Sequence, residues 1–489
     1  MKNVVRIFAL LLALLMVASC FIACKKDDEG NEGDEGGNNV ISTSGEYQSK
    51  LPDMDWGGST YLVLGMSSAS NLTWENFEIS RDEMPDDTVG KAVWERNDAI
   101  KQRYGIIVEQ ELADNSSHRI QPYYASNEHK YDLVLYQVEG VFGHAQSGFL
   151  LDLNSVEYID LEHPSWNEFV TEQFTFNGKL FCTTGDFLLQ DKGHLTGLYY
   201  NREMARDAGD GYLEDLVTSG QWTLDKFNEI VKAYGEDTSG DGAKGGEADT
   251  FGLCGDKWYY LCLSAGAGYR ASTVKDGIVE MAGAGDNILN ILDKVGKVFF
   301  DSSSTFITES VRPLDYARSQ AIFRDGRALM YGGFISEIST EIADITFEMG
   351  ILPFPKYDAD QAAFYSQVNP KYSTLIAVPK TVIDSGYSGF GVQALNEAST
   401  DTTYNAYIEV KCKLQDSFDQ RMSDMYSLIF ENPVYDLVIL GDFGNITRAM
   451  MEEIPSEKNS SRYATYYSKR SEAAEEEVKE LMDDFALLS

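Results

Sequence analysis

The sequence predicts an α/β protein built as two lobes, on three observations. Short apolar runs alternate with a helix-spaced segment in the first third of the chain. Further extended runs recur far apart, near 180–186, 328–331, 349–355 and 374–379. And 489 residues exceed the roughly 250–300 at which a single core stops growing. A chain that passes several times between two bodies produces this pattern, and the cleft between them is a common place for a ligand.

Each element has a local reason. Residues 60–65 (TYLVLG) form an apolar run closed by Gly, read as a strand. Residues 90–104 carry helical spacing at Val93, Ile100 and Tyr104, with Gly105 as the residue that ends the helix in a left-handed turn. Residues 106–111 (IIVEQE) and 131–136 (YDLVLY) are further strands, which completes the grammar of a parallel sheet. Ligands in such sheets sit beyond the carboxyl ends of the strands, here 65–71 and Tyr136, Gln137 and Glu139. Residues 180–186 and 198–201 read as extended. Thr223 is placed to cap a helix that follows Trp222, with Asp225 and Glu229 early in it. Residues 318–324 read as helix, 328–331, 351–355 and 374–379 as strands, and the last hundred residues as helical, ending in an acidic helix over 472–487.

The N-terminus reads as an export signal, with Lys2 and Arg6 before an apolar run over 7–17 that is short for a bilayer span of about 20 residues. Val17-Ala18-Ser19-Cys20 resembles a bacterial lipobox, in which small residues admit the peptidase and the Cys sulfur carries the lipid; Cys24, after Phe21-Ile22-Ala23, is a poorer second candidate. These features predict a signal peptide over 1–19 and a protein anchored through Cys20 to the outer face of the cytoplasmic membrane. Residues 20–50 are then a flexible acidic linker of Gly, Asn, Ser, Asp and Glu, too polar to offset its ordering entropy.

With 40 Lys and Arg against 78 Asp and Glu, the net charge of −38 excludes nucleic acid as a partner, because phosphate binding needs clustered cations. Four cysteines remain beyond the anchor (182, 254, 262 and 412), with no CxxC spacing for zinc. Cys254 and Cys262 either pair or stay buried thiols. The five histidines show no HExxH spacing, and neither GxSxG nor a P-loop occurs, so no enzyme is indicated and no cofactor is expected. A pair of carboxylates of the glycosidase kind stays open as an alternative, since its spacing in space is not written in sequence. Asp237, Ser239 and Asp241, followed by Gly242, resemble the opening of a calcium loop, but Ala248 stands where the twelfth-position Glu belongs; a structural calcium and a metal-free turn both remain open. Aromatic residues cluster near loops: Tyr136, Tyr199, Tyr200, Trp258, Tyr259, Tyr260, Tyr331, Phe334 and Tyr372. Aromatic faces beside Asp, Asn and Gln are the usual composition of a neutral carbohydrate site.

The chain resembles the extracellular solute-binding lipoproteins of bacterial ABC importers, the carbohydrate-type class. The resemblance covers roughly 58–440 and rests on YDLVLY with GFLLDLNSVEYIDLEHPSWN, NGKLFCTTGD, LYYNREMARDAG, TSGQWTLDKFNEIVKAY, GRALMYGG, MGILPFPKYD, TLIAVPK and VQALNEAST in that order. Ser239 stands where the family usually has Asn. The resemblance implies a periplasmic-binding-protein-like (type II) fold with a hinge and a ligand cleft between lobes. It implies a first lobe of 51–182 plus 310–352, a second of 187–305 plus 375–489, and hinge crossings at 183–186 and 353–374. It also implies capture of a sugar or oligosaccharide for a membrane permease, a peptide or other solute being the alternative cargo. The expected ligand contacts are Ser67, Tyr136, Gln137 and Tyr331 from the first lobe, and Asp186, Trp258, Tyr259 and Tyr372 from the hinge and second lobe.

Overall fold

A computed structural model describes residues 47–67, 75–242, 248–308, 313–340 and 342–488. The expected signal peptide, Cys20, Cys24 and nearly all of the linker lie outside the described residues.

The first sheet starts with three parallel strands whose apolar runs were legible: β1 (Ser59–Met66), β2 (Ile106–Ala113) and β3 (Leu133–Gln137). β1 and β2 run in register from Ser59↔Ile106 to Met66↔Ala113, and β1 meets β3 at Val63↔Leu133. The helix Thr88–Tyr104 crosses over between β1 and β2. Asp87 Oδ1 accepts the Gly90 amide at 2.8 Å to start it, and Gly105 at φ 62° ends it. A Cβ at Gly105 would also meet Asp55 Oδ1 at 2.1 Å, so the position requires glycine twice over.

The second sheet begins with β4 (Thr196–Asn201) and β5 (Phe251–Asp256). A hairpin of β6 (Ser272–Lys275) and β7 (Ile278–Met281) stands apart from it. β8 (Thr305–Thr308), β9 (Ala328–Phe334) and β10 (Met349–Leu352) complete the sheet in the order β10-β4-β9-β5-β8. β11 (Ser366–Gln367) and β12 (Thr374–Ala377) follow; β12 returns to the first sheet antiparallel to β3, giving the order β12-β3-β1-β2, while β11 pairs with β13 (Pro433–Val434). Thr183 bridges Ile376, so the segment leaving the first sheet runs along the edge made by the segment returning to it. Both sheets lie in one compact unit, Ser42–Ser489.

The sheet pairing corrects the expected lobe boundaries. The expected first lobe takes in residues 328–334 and 349–352, yet β9 and β10 both hydrogen-bond to β4 in the second sheet. The expected second lobe, 375–489, contains most of β12, which pairs with β3 at Thr374↔Gln137 to Ala377↔Val134. It also contains the helix Ser385–Ser399, which covers the first sheet: the Tyr61 hydroxyl donates to Ser388 O at 2.8 Å. An apolar run fixes that a strand exists but not which distant strand it pairs with.

The C-terminal helix Arg462–Leu487 is less solvated than its acidity predicts. Ala474, Val478, Leu481 and Phe485 are buried at three- and four-residue spacing, a single apolar face. Tyr463 near its start packs on Tyr269 (5.7 Å between ring centroids), and Phe485 near its end on Phe181 (4.6 Å). Cys182, Cys254, Cys262 and Cys412 are free and buried. Among the described residues no helix is long and apolar enough to cross a membrane.

Candidate saccharide-binding site

The carboxyl ends of the parallel strands in the two sheets are brought together by a chain of side chains. β5 ends at Asp256, and Trp258 stands two residues on, at the start of the helix Tyr259–Gly266. Its indole stacks on Phe334, the last residue of β9, with ring centroids 5.0 Å apart and planes at 24°. Phe334 in turn meets His194 at 5.4 Å, and His194 Nδ1 lies 3.4 Å from the Ser373 hydroxyl. Ser373 precedes β12, and its carbonyl accepts the Val138 amide beside Gln137. Trp258 and Phe334 are both nearly buried, at 6% and 7% exposure.

This places the expected contacts in two groups. Trp258, Gln137 and Ser67 lie at the strand ends; the register of β1 with β3 puts Ser67 level with Gln137, and the Ser67 amide donates to Ala113 O at 2.9 Å. Tyr372 stands next to Ser373, its amide held by Asn369 Oδ1 at 2.9 Å. Tyr136 and Tyr331 are instead core residues. Tyr136 is fully buried in a strand apolar on both faces, and its hydroxyl bonds that of Tyr124. Tyr331 is 1% exposed, lies in the second sheet rather than the first lobe, stacks on Phe323 and donates to Glu337 Oε2 at 2.8 Å. Tyr259 packs beneath Trp258 against Gly332, where a Cβ would come within 3.0 Å of its ring; it supports the indole from below. Asp186 occupies the crossing segment, where its Oδ2 accepts the Thr400 hydroxyl at 2.7 Å and burial pushes its carboxyl up to about 6.

The reading of the sequence missed His194, Ser373 and Glu78. Glu78 Oε1 accepts from Asn76 Nδ2 (3.1 Å) and from the amides of Leu189 and Gln190, where the crossing segment turns into a short helix. Asn76 Nδ2 also donates to the Thr374 hydroxyl, which donates onward to Gln190 Oε1 at 2.9 Å. A buried polar network thus fastens the outgoing and returning crossings together. Burial pushes the Glu78 carboxyl up to about 7, and its Oε2 has no hydrogen-bond partner among the described residues. A Glu inside a polar segment carries no sequence signal for such a role.

The 237–242 segment is a turn closed on one carboxylate. Asp237 accepts the amides of Gly240 (2.7 Å) and Gly242 (2.8 Å) and the Ser239 hydroxyl (3.0 Å), which holds its carboxyl below the usual range. Residues 243–247 are outside the described residues. Among those described, no group of three or more His, Cys, Asp or Glu has the arrangement to hold a metal ion.

No family model matches the chain, and no curated protein matches it. Among solved structures, the chain is similar to a cyclo/maltodextrin-binding protein complexed with maltotetraose, with a TM-score of 0.53 and 13% identity over 87% of this chain and 96% of that one. It is also similar to the GacH receptor of Streptomyces glaucescens GLA.O, solved unliganded and with acarbose and an acarbose homologue. That TM-score is 0.48, with 13% identity over 88% of this chain and 97% of that one. The first likeness, at this identity, shows the fold: two α/β lobes, as the sequence predicts.

Proposed function

We propose that the chain is the substrate-binding component of an ABC importer and that it captures a sugar or oligosaccharide between the ends of its two sheets. The observation that carries this reading is the line Trp258–Phe334–His194–Ser373, which joins strand ends of both sheets and ends at Ser373, whose carbonyl accepts the Val138 amide next to Gln137. Aromatic faces suit the apolar C–H faces of a sugar, and amides and hydroxyls suit its hydroxyl groups. The fold shared with a protein solved with maltotetraose makes an α-linked glucose oligomer the first ligand to try. Closure then works as a population shift: a ligand that touches both sheets binds the closed state better and draws the equilibrium toward it.

In this reading the protein is a binder and not an enzyme. It is exported, attached by lipid at Cys20 to the outer face of the cytoplasmic membrane, and passes its cargo to permease subunits. The support is the charged-apolar-small-Cys order of residues 1–20 and the polar stretch after it. Titrating oligosaccharides while assaying for new reducing ends separates binding from hydrolysis, and labelling with a lipid precursor tests Cys20 against Cys20→Ala.

A further inference from the structure

A cavity of about 560 Å³ lies at the edge of the first sheet opposite Ser67, with β3, β12 and the crossing segment between them. None of the eight expected ligand contacts lines it. One wall belongs to the first sheet: the Asn167 amide donates to Thr184 O at 2.9 Å, and Phe169, 51% exposed, follows on the helix Glu168–Gln173. The other wall, with Arg270, Tyr365, Asn432 and Tyr435, is anchored to the second sheet: the Thr196 hydroxyl of β4 donates to Gln367 O of β11 at 3.3 Å, β11 pairs with β13 beside Asn432, and Arg270 donates to Ala265 O in the helix Tyr259–Gly266.

Arg270 is the unusual group. Its guanidinium stands 4.5 Å over the centre of the Tyr365 ring. Nη1 donates to Ala265 O (3.0 Å) and Tyr269 O (2.7 Å), while Nε and Nη2 have no hydrogen-bond acceptor among the described residues; Asp436 acts on the guanidinium electrostatically, but no described carboxylate is in ion-pair contact with it. The neighbouring acid, Asp436, is already used. Its Oδ2 accepts the amides of Ala271 (2.5 Å) and Ser272 (3.2 Å), and its Oδ1 the Ser272 hydroxyl (2.7 Å) and the Val438 amide (3.1 Å). Glu431, on the rim, is exposed. In a chain with almost twice as many acids as bases, this half-buried cation has a carboxylate near it, Asp436, but none in contact, and its two unbonded nitrogens line the cavity. A planar guanidinium with two free nitrogens on one side is the fork that a carboxylate fits.

We propose that this cavity is a second binding site, for a carboxylate-bearing sugar of the uronate class. The carboxylate meets Nε and Nη2 of Arg270, the ring rests on Phe169, and Asn167 and Asn432 face its hydroxyls. Because the walls belong to both sheets, an occupant ties the two together at the hinge edge and so biases the same opening and closing that the saccharide site uses. The site does not depend on the saccharide reading: its ligand is charged, and its residues are different ones.

The test is calorimetric titration of the mature protein with glucuronate and, separately, with glucose. Saturable glucuronate binding is expected, together with none or at least about tenfold weaker binding of glucose. Arg270→Gln abolishes the glucuronate signal, and Phe169→Ala, on an exposed side chain that leaves the fold intact, weakens it several-fold. Maltotetraose binding by Phe169→Ala stays measurable, which separates failure here from failure of the saccharide site. No saturable binding of millimolar glucuronate, equal binding of the two sugars, or unchanged glucuronate binding in both variants would overturn the proposal.

Discussion

The Trp258 indole stacks on the Phe334 ring, with centroids 5.0 Å apart and planes at 24°, and so couples the end of β5 to the end of β9. Stacked aromatic pairs of this geometry contribute about 0.5–1.5 kcal/mol beyond their buried area. Trp258→Ala therefore lowers saccharide affinity by at least about tenfold, or ~1.4 kcal/mol, while Trp258→Phe retains most of it. Calorimetry on both variants, with melting curves to show that each is folded, checks this. Affinity within twofold of the parent in Trp258→Ala would remove the indole from the site.

Glu78 gives the hinge a pH dependence with a definite sign. Burial raises its carboxyl from 4.5 to about 7, so the native state holds this proton after the unfolded chain has released it. Stability from this group is then fully present below about 4.5 and declines as pH rises through about 7. Glu78→Gln keeps the oxygen that accepts the Leu189 and Gln190 amides and removes the titration. Relative to the parent, the variant gains stability between pH 4.5 and 7, measured as urea midpoints across that range. Parallel curves for the two proteins would show that Glu78 titrates normally.

Two glycines test the packing in opposite directions. An ideal Cβ at Gly252 in β5 would sit 2.0 Å from the carbonyl oxygen of Val231, backbone against backbone, whereas one at Gly143 in the helix Val138–Gln146 meets nothing within 4 Å. Gly252→Ala costs more than about 2 kcal/mol because neither chain can give way. Gly143→Ala stabilises by about 0.5–1 kcal/mol through helix propensity. Denaturant unfolding reads both, and similar effects from the two would mean that β5 and the helix Leu224–Ala233 do not approach this closely.

The turn at Asp237 makes a prediction about metal. Its carboxylate already accepts two amides and a hydroxyl, so calcium and chelator give the same melting temperature. A rise of several degrees with calcium would bring residues 243–247 in as the missing ligands.

The strands were legible because a fully buried strand needs an uninterrupted apolar run, as in LVLYQ of β3. That same run carried the evidence that Tyr136 is core: a central strand covered on both faces leaves no tyrosine ring for a ligand. β5 was not among the expected strands, since Gly252, Gly255 and Asp256 break its apolar run within six residues; close packing on Val231 and Tyr259 is what requires the glycines. The lobe boundaries were not legible at all, because β12 and β9 have similar local patterns and their pairing with β3 and β4 is decided by contacts more than a hundred residues away. Trp258 was found by its size and neighbours. His194 and Ser373 were not, since what makes them part of the site is their approach to each other across the two sheets.

The most direct measurement is a calorimetric titration of the mature protein with maltotetraose, run beside an assay of reducing ends in the same sample. The account predicts saturable one-to-one binding that Trp258→Ala weakens, with no increase in reducing ends. Release of reducing ends, or no binding of maltotetraose and of other neutral oligosaccharides, would contradict it.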